Sequence, residues 1–309
     1  MTHPHARRRT IGILAAALAL LTATGAQAGL TPTPVVNTKA IDWEATRAPG
    51  YLAYTQNSVR RPNHFDLWVK PDVGHRWRTT THRTSGAHPG IDIGNVHLGD
   101  VLVWSKGRMD AWDLAFTDLA TGDRLAVPAG INTRKAEREP SLSGDHLLFA
   151  RGPRSGSPYA NRVVLYNLAT DTSQVLDHSV HGIMNAGWVS GDWAVWQKCP
   201  RSRCSIWRYQ ISTDTFLKVP ADVPVVYSPA VTSDGTVFYV RSGYSCGQHT
   251  RIVKILSDGT TMSTVFSFPR GVDAVDLFAY PNLSATTDLY LSRVSCRTFD
   301  FDVYVLNGV

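Results

Sequence analysis

The sequence predicts an all-β chain folded as a six-bladed β-propeller of four-stranded antiparallel blades. Its apolar runs are short and dense in Val, Leu, Phe and Tyr, which is the length and composition of strands. Turns rich in Asp, Gly and Thr separate these runs. One order of turn, strand, loop, strand and turn recurs six times at a spacing of roughly 43–52 residues, and that period indicates propeller blades.

Two strands can be recognised in every unit. The first follows a turn residue and usually finishes on an aromatic residue; its copies are 50–54, 100–104, 145–149, 192–196, 235–239 and 288–291. The copies of the second are 66–69, 113–116, 162–165, 205–208, 251–254 and 302–305. Trp104, Trp196 and Trp207 fall on regular strand positions, so we expect them to pack in the core rather than to stack on a ligand.

The sixth unit has no fourth strand of its own before Val309. Residues 29–40 precede the first unit and contain Val35-Val36 in a short extended segment. We expect this N-terminal strand to complete the last blade, because closure removes the exposed strand edges that promote aggregation. The propeller domain is then residues 41–309, and an ordinary β-sandwich is the alternative fold.

A signal peptide is predicted over residues 1–28. The basic run Arg7-Arg8-Arg9 precedes an apolar stretch, and Ala26-Gln27-Ala28 fits the rule for signal-peptidase cleavage. The stretch is shorter than the ~20 apolar residues that span a bilayer, so we expect an exported protein without a transmembrane anchor. Both Sec and twin-arginine export stay open. The formal net charge is +6, and the segment contributes three arginines and no acid, so the remainder is too mildly basic to indicate nucleic-acid binding.

The four cysteines favour disulfides in an exported chain. Cys199 and Cys204 lie in one loop, and Cys246 and Cys296 occupy matching places in consecutive repeats. We therefore predict the pairs 199–204 and 246–296. A zinc site is the alternative, but the spacing between Cys199 and Cys204 is not that of a metal knuckle and no paired histidines accompany it.

Several turn-and-strand segments resemble a known family. Segments 143–150, 190–196 and 233–239 are similar to the S-P-D-G-x-x-I-A-F repeat of TolB-like six-bladed propellers, and 118–123 resembles the D-L-x-T-G hairpin of that family. The resemblance covers the propeller alone, without the N-terminal α/β domain of the periplasmic namesake. It implies an exported scaffold that binds proteins.

Sequence signatures of enzymes are absent. The chain has no G-x-S-x-G nucleophile elbow, no Asp-box spacing, no H-E-x-x-H and no EF-hand loop. The histidines are scattered, and we expect no metal and no cofactor. Glycosidases need only two carboxylates about 5–10 Å apart, which a sequence does not reveal. Asp92, Glu139 and Asp273 at the starts of inner strands are therefore candidates for carboxylates in the central channel.

Strand direction divides the connections between two rims. The short Gly-Asp and Thr-Asp turns share one rim, here called the short-turn rim, and the longer, irregular segments share the opposite long-loop rim. Irregular loops are where recognition usually resides. The long-loop rim is rich in arginine, and the candidates for binding are Arg61, Arg83, Arg108, Arg138, Arg151, Arg154, Arg201, Arg203, Arg241 and Arg297.

Together these patterns predict a secreted, monomeric, non-catalytic propeller that binds a protein or an acidic cell-envelope component through its basic rim. Arginine captures carboxylates and phosphates by paired hydrogen bonds, so acidic partners suit such a rim. The alternative for the rim is that arginines merely fill solvated loops. The alternative function is a polysaccharide-active hydrolase or lyase with its carboxylates in the channel.

Overall fold

The structure is a computed structural model that describes residues 30–58, 61–84, 90–107, 111–153, 160–180, 182–200, 203–221, 225–243, 245–281 and 285–309. Side chains of 58, 61–64 and 80–84 are not described. The predicted signal peptide lies outside these residues. In the described part every regular element is a β-strand, and none of it forms a helix long and apolar enough to cross a membrane.

The described strands alternate with turns along the whole of the unit Thr31–Val309. They are β1 (Thr33–Val36), β2 (Asp42–Ala48), β3 (Tyr51–Ser58), β4 (Arg61–Pro71), β5 (Trp77–Thr84), β6 (Ile91–Val96), β7 (Gly99–Lys106), β8 (Asp113–Asp118), β9 (Arg124–Leu125), β10 (Ala136–Ser143), β11 (His146–Gly152), β12 (Arg162–Asn167), β13 (Thr172–His178), β14 (Gly182–Ser190), β15 (Trp193–Pro200), β16 (Ser205–Gln210), β17 (Thr215–Lys218), β18 (Val226–Val231), β19 (Val237–Arg241), β20 (Arg251–Ile255), β21 (Met262–Ser267), β22 (Val272–Pro281), β23 (Thr287–Ser295) and β24 (Phe301–Leu306).

These strands form six antiparallel sheets of four, which confirms the predicted propeller. Blade 1 is β2–β5, blade 2 is β6–β9, blade 3 is β10–β13, blade 4 is β14–β17 and blade 5 is β18–β21. Neighbours in the sequence are neighbours in each sheet, as the tight Asp- and Gly-containing turns require. Every strand recognised in the sequence is present, generally longer than its apolar run.

Blade 6 joins the two ends of the chain. Its strand order is β1-β24-β23-β22, and Thr33 pairs with Val305 while Val36 pairs with Val303. The N-terminal strand therefore closes the ring, as predicted, over the four residues Thr33–Val36. Val36 is buried with Tyr54 of blade 1 and Tyr290 of blade 6 in one apolar cluster. Closure thus buries apolar surface as well as pairing an edge strand.

The core lies between adjacent blades. Phe116 of blade 2 and Phe149 of blade 3 share one cluster, and each is nearly or fully buried. Burying one such side chain contributes about 1.5–3 kcal/mol to folding. Trp104 and Trp196 are also fully buried, which confirms their core position, while Trp207 is half-buried against the cluster of blades 3 and 4.

Removing residues 29–39 from a chain that begins at residue 29 should lower the melting temperature by on the order of 10 °C, because β24 loses its partner and Val36 leaves its cluster. Differential scanning calorimetry measures this shift. The matched control removes only 29–32, which leaves β1 intact and should melt like the parent chain. An unchanged melt for the longer deletion would contradict closure by β1.

Candidate functional site

The two rims of the propeller differ as the sequence predicted. Inner strands β2, β6, β10, β14, β18 and β22 start at the long-loop rim and end at the short-turn rim. In blade 3, for example, Ala136 pairs with Gly152 beside a long loop, whereas Ser143 pairs with His146 across a tight turn. A cavity or side chain near the beginning of an inner strand is therefore close to the long-loop rim.

Five of the six inner strands are interrupted by a β-bulge at one equivalent place. The residues left out of the ladder are Glu44-Ala45, Glu139-Pro140, Gly187-Trp188, Ser228-Pro229 and Asp276-Leu277. A bulge disrupts the ladder locally and re-aims side chains, and it tolerates proline because no ladder N–H is needed there. In blade 2 the equivalent pair is Gly90-Ile91 at the start of β6.

The first residue of four of the five bulges, all except Gly187, adopts an unusual backbone, as does the equivalent Gly90 of blade 2. Glu44, Glu139, Ser228 and Asp276 have φ between 48° and 55°, and Gly90 has φ 72°. Side chains other than glycine rarely occupy this left-handed region, which costs roughly 1–2 kcal/mol per residue. Backbone strain of this kind is concentrated at functional sites when the surrounding structure enforces it.

These pairs surround a cavity of about 230 Å³ on the propeller axis. Blades 1, 3, 4, 5 and 6 contribute their bulge pairs to the lining, and blade 2 contributes the equivalent pair Gly90-Ile91. Blades 4, 5 and 6 add residues that precede the bulge, among them Asn185, Tyr227 and Val275. Every lining residue on an inner strand thus lies at its bulge or before it. The cavity consequently extends toward the long-loop rim.

Polar contacts run from blade to blade around this cavity. Each contact joins a backbone N–H or side-chain donor of one blade to an acceptor of its neighbour. The pairs are Glu44 N–H to Ser292 Oγ (3.1 Å), Thr46 Oγ1 to Asp92 Oδ1, Leu142 N–H to Asp92 Oδ2 (2.6 Å), Val189 N–H to Ser141 Oγ (3.0 Å), Gln197 Nε2 to Val226 O (2.6 Å) and Asp276 N–H to Ser228 Oγ (3.0 Å). We call this set the inter-blade belt.

Asp92 joins three blades in the belt. Its carboxylate accepts hydrogen bonds from Thr46 of blade 1, from the Ile93 N–H of its own blade, and from Ser141 and the Leu142 N–H of blade 3. It is 1% exposed. Burial raises the pKa of Asp92 to about 7, although these hydrogen bonds lower it.

Asp273 occupies a similar position between blades 5 and 6. It accepts hydrogen bonds from the Tyr227 hydroxyl at 2.6 Å and from Thr250 Oγ1 at 3.0 Å. Burial, together with this bond and the neighbouring carboxylate, raises the pKa of Tyr227. Of the three predicted channel carboxylates only Glu139 lines the cavity; Asp92 and Asp273 bind other blades beneath its wall.

Sequence reasoning missed Glu44 and Asp276. Both line the cavity from bulge positions equivalent to that of Glu139. The signal was available, because Glu44, Glu139 and Asp276 recur at the repeat period just ahead of the strands that were recognised. Only the bulge, however, shows that these positions face the axis.

The arginines predicted to bind a partner fall into three groups: those whose side chains are not described, those held within the protein, and those that are exposed or half-buried at the long-loop rim. Arg108, Arg154 and Arg201 lie outside the described residues, and only the backbone is described for Arg61 and Arg83. Arg138 is 5% exposed, and Arg151 donates to the buried Glu137 carboxylate at 3.0 Å and to two carbonyl oxygens. Arg203 and Arg297 are exposed in long loops, and Arg241 is half-buried at the long-loop end of β19.

Disulfides hold the long-loop rim of blades 4, 5 and 6, and both pairs are those that the sequence predicted. Cys199–Cys204 closes the loop between β15 and β16, and Cys246–Cys296 joins the loop after β19 to the loop after β23. The Cys296 N–H also donates to Gly271 O at 2.9 Å. We call the arginines of this rim the basic sector: Arg203, Arg241, Arg251, Arg270, Arg293 and Arg297.

The fold and site define a six-bladed β-propeller with an axial cavity and a loop-bearing face fixed by disulfides. No protein-family model matches the sequence, and no curated protein matches it. Solved structures do match in fold, and the similarities extend to proteins of different function.

TolB from Acinetobacter baumannii aligns with a TM-score of 0.53 at 14% identity, covering 83% of this chain and 63% of that one. A provisionally assigned TolB from Agrobacterium tumefaciens gives 0.56 at 13% identity, covering 87% and 91%. A puromycin-hydrolysing peptidase of Mycobacterium tuberculosis gives 0.54 at 11% identity, covering 89% and 48%. The chain thus has the propeller fold of TolB structures, and at these identities the likeness concerns the fold alone.

Gly90→Ala should lower the free energy of unfolding by more than the backbone strain of an alanine at positive φ. A Cβ at residue 90 would lie 2.4 Å from the Cα of Glu139, and φ there is +72°. Gly50→Ala is the matched control, since φ is +86° but nothing lies within 4 Å of its Cβ. We expect urea unfolding to show a loss about 1–3 kcal/mol larger for Gly90→Ala. Equal losses would contradict the close packing of blades 2 and 3.

Stability should fall as pH rises because of Asp92. The folded-state pKa of about 7 lies above the ordinary value of 3.8, so the folded protein holds a proton between those values that the unfolded chain has lost. Between pH 5 and pH 8 this one group should remove about 2–3 kcal/mol of unfolding free energy. Urea unfolding of the parent and of Asp92→Asn across that range tests this. A parent curve parallel to that of Asp92→Asn would contradict the assignment.

Proposed function

We propose that this chain is an exported, non-catalytic binding propeller whose long-loop rim receives an acidic protein partner. The observation that carries the proposal is the basic sector, because it places several cationic side chains on loops that disulfides hold in fixed positions. Loops that are ordered before binding lose less conformational entropy when a partner docks.

The charge of the basic sector suits acidic groups. Arg203, Arg251, Arg270 and Arg297 are exposed there, whereas the acids described on the same loops and strands include the exposed Asp300 and the half-buried Asp302. The guanidinium group pairs with a carboxylate through two parallel hydrogen bonds, so an array of arginines recognises glutamate and aspartate side chains geometrically as well as by charge.

The disulfides of this rim also support export. Two disulfides join all four cysteines of the chain. Disulfides persist in oxidising compartments such as the periplasm or the extracellular space and are rare in the cytosol. The predicted signal peptide over residues 1–28 fits that location. The basic rim comes from the residues, and binding of a protein was the expectation from the resemblance to TolB-like propellers. The TolB structures themselves supply only a common fold.

The hydrolase or lyase alternative has less support from the geometry. It requires carboxylates that face a substrate across the channel. Asp92 accepts hydrogen bonds from three blades, and Asp273 accepts them from Tyr227 and Thr250, so both serve to hold blades together. Glu44, Glu139 and Asp276 do line the cavity, but its volume of about 230 Å³ is small for a polysaccharide, so we interpret the cavity wall as a binding surface.

Binding should depend on the basic sector and on salt. We expect the double variant Arg270→Gln/Arg297→Gln to bind poly-L-glutamate about tenfold more weakly in isothermal titration calorimetry at low ionic strength. Binding by the parent should weaken as salt rises, because charge-driven association is screened.

The matched control is Lys70→Gln/Arg124→Gln, which removes two exposed cations outside the long-loop rim and should bind like the parent. Equal binding by both double variants, or affinity that does not change with salt, would contradict the proposal. Tighter binding of polygalacturonate or polyphosphate than of poly-L-glutamate would replace the protein partner with an acidic envelope polymer.

A further inference from the structure

Three loops of the long-loop rim are locked together beside the Cys246–Cys296 disulfide. Gly271, between β21 and β22, donates its N–H to Gly247 O at 3.2 Å and accepts from the Cys296 N–H at 2.9 Å. A Cβ on Gly247 would lie 2.6 Å from the Val272 nitrogen, so the backbones of two of these loops are in direct contact. We call these linked residues, Cys246, Gly247, Gly271 and Cys296, the loop junction. Its covalent and backbone links hold the three loops in fixed relative positions.

The loop after β23 forms a closed turn on this junction. The Ser295 N–H donates to Asp300 O at 3.1 Å, and the Phe299 N–H donates to Ser295 O at 2.8 Å. The backbone of residues 296–300 is therefore held at both ends. The side chains of Arg297 and Phe299 are exposed on this turn, so the loop junction presents them to solvent in a fixed place.

Phe299 is an unusual residue for such a turn. Its φ is 56°, in the left-handed region that glycine and asparagine adopt readily and that a bulky side chain occupies only at a cost. The residue is 63% exposed, so burial within the fold offsets little of that cost. Folding stability therefore does not account for a phenylalanine here, and strained positions of this kind are concentrated at functional sites.

The charged side chains around Phe299 carry a net positive charge. The three loops that meet at the junction hold two arginines and one acid, namely Arg270, Arg297 and Asp300, and all three side chains are exposed. Aromatic residues and arginines are the residue types enriched at the centres of protein interfaces. The junction thus combines an apolar side chain with cations in one small area.

We propose that Phe299 is the apolar anchor of the long-loop rim and packs on an apolar side chain that acidic residues flank in the bound partner. A turn that is fixed before binding loses little conformational entropy, so the contact between the two apolar side chains adds to the affinity. Arg270 and Arg297 pair with the flanking carboxylates. The inference rests on the proposed function, because it states what the acidic partner carries besides its charge.

Two peptides of equal charge test the anchor. Isothermal titration calorimetry compares acetyl-Glu-Glu-Phe-Glu-Glu-amide with acetyl-Glu-Glu-Ser-Glu-Glu-amide. We expect the parent protein to bind the phenylalanine peptide about fivefold more tightly, which is the contribution of one aromatic contact. The ratio should persist as salt rises, because salt screens the charges and not the apolar contact. Equal affinities, or a ratio that disappears in salt, would overturn the proposal.

Phe299→Asn locates the anchor. Asparagine removes the ring and suits a φ of 56°, so the turn should survive. The variant should bind both peptides with the affinity that the parent has for the serine peptide. Its melting temperature should equal or exceed that of the parent, because the backbone strain is relieved. A clearly lower melting temperature would show that Phe299 serves the fold, and either that result or a retained preference for the phenylalanine peptide would contradict the proposal.

Val73→Asn is the matched control. Val73 is 91% exposed in the turn after β4, on the short-turn rim, so it is an exposed apolar residue far from the loop junction in the sequence of blades. Its replacement should leave the preference for the phenylalanine peptide within twofold of the parent. Loss of the preference in Val73→Asn would contradict the assignment to Phe299.

The two proposals can fail separately. Equal binding of the two peptides that still weakens in Arg270→Gln/Arg297→Gln would retain the basic sector and reject the anchor. A phenylalanine preference that Phe299→Asn abolishes, together with poly-L-glutamate binding that does not depend on those arginines, would reject the basic sector and retain the apolar contact.

Discussion

Closure of the ring is the constraint on which the remaining structure depends. A propeller blade buries its faces only against its two neighbours, so a gap at any one place exposes the apolar surfaces of two blades. Here the gap between the chain ends is filled by β1, which pairs with β24 and adds Val36 to the cluster of blades 1 and 6. The inter-blade belt then fixes the distance between neighbouring inner strands at the axis.

The bulges connect that constraint to the site. A bulge removes backbone groups from the ladder, and a buried N–H must find another acceptor. The N–H groups of Glu44 and Asp276 donate to serine hydroxyls of the neighbouring blade, so these two interruptions of a sheet become contacts between sheets. The same interruption turns the two carboxylates toward the axis. Contacts between neighbouring blades and part of the lining of the cavity are therefore produced by the same local distortion.

The sequence was sufficient for the architecture because strands and turns are local features. Alternating apolar runs and Asp-Gly turns report directly on backbone geometry, and the equal placement of Cys246 and Cys296 in two repeats made their pairing predictable. The cavity was less accessible. Glu139 was identified, but Asp92 looked equivalent to it, and only three-dimensional register shows that Asp92 lies beneath the wall while Glu44 and Asp276 face the axis. The same limit applies to Arg138, which is buried, and to Arg151, which is half-buried and hydrogen-bonded to Glu137 and two carbonyl oxygens. The sequence showed their charge but not these surroundings.

The two rims illustrate how turn chemistry and recognition separate in this molecule. Aspartates of the short-turn rim mainly satisfy nearby backbone groups: Asp258 accepts the N–H groups of Thr260 and Thr261, and Asp118 accepts those of Ala120 and Thr121. Their positions follow from the turns, which need such acceptors. The loops of the opposite rim have no such requirement, yet one disulfide closes a loop of blade 4 and another joins a loop of blade 5 to a loop of blade 6. Turn geometry does not fix the loops of the long-loop rim, but the disulfides do. This rigidity is the physical reason to place recognition on the long-loop rim, with the carboxylate-lined cavity at its centre.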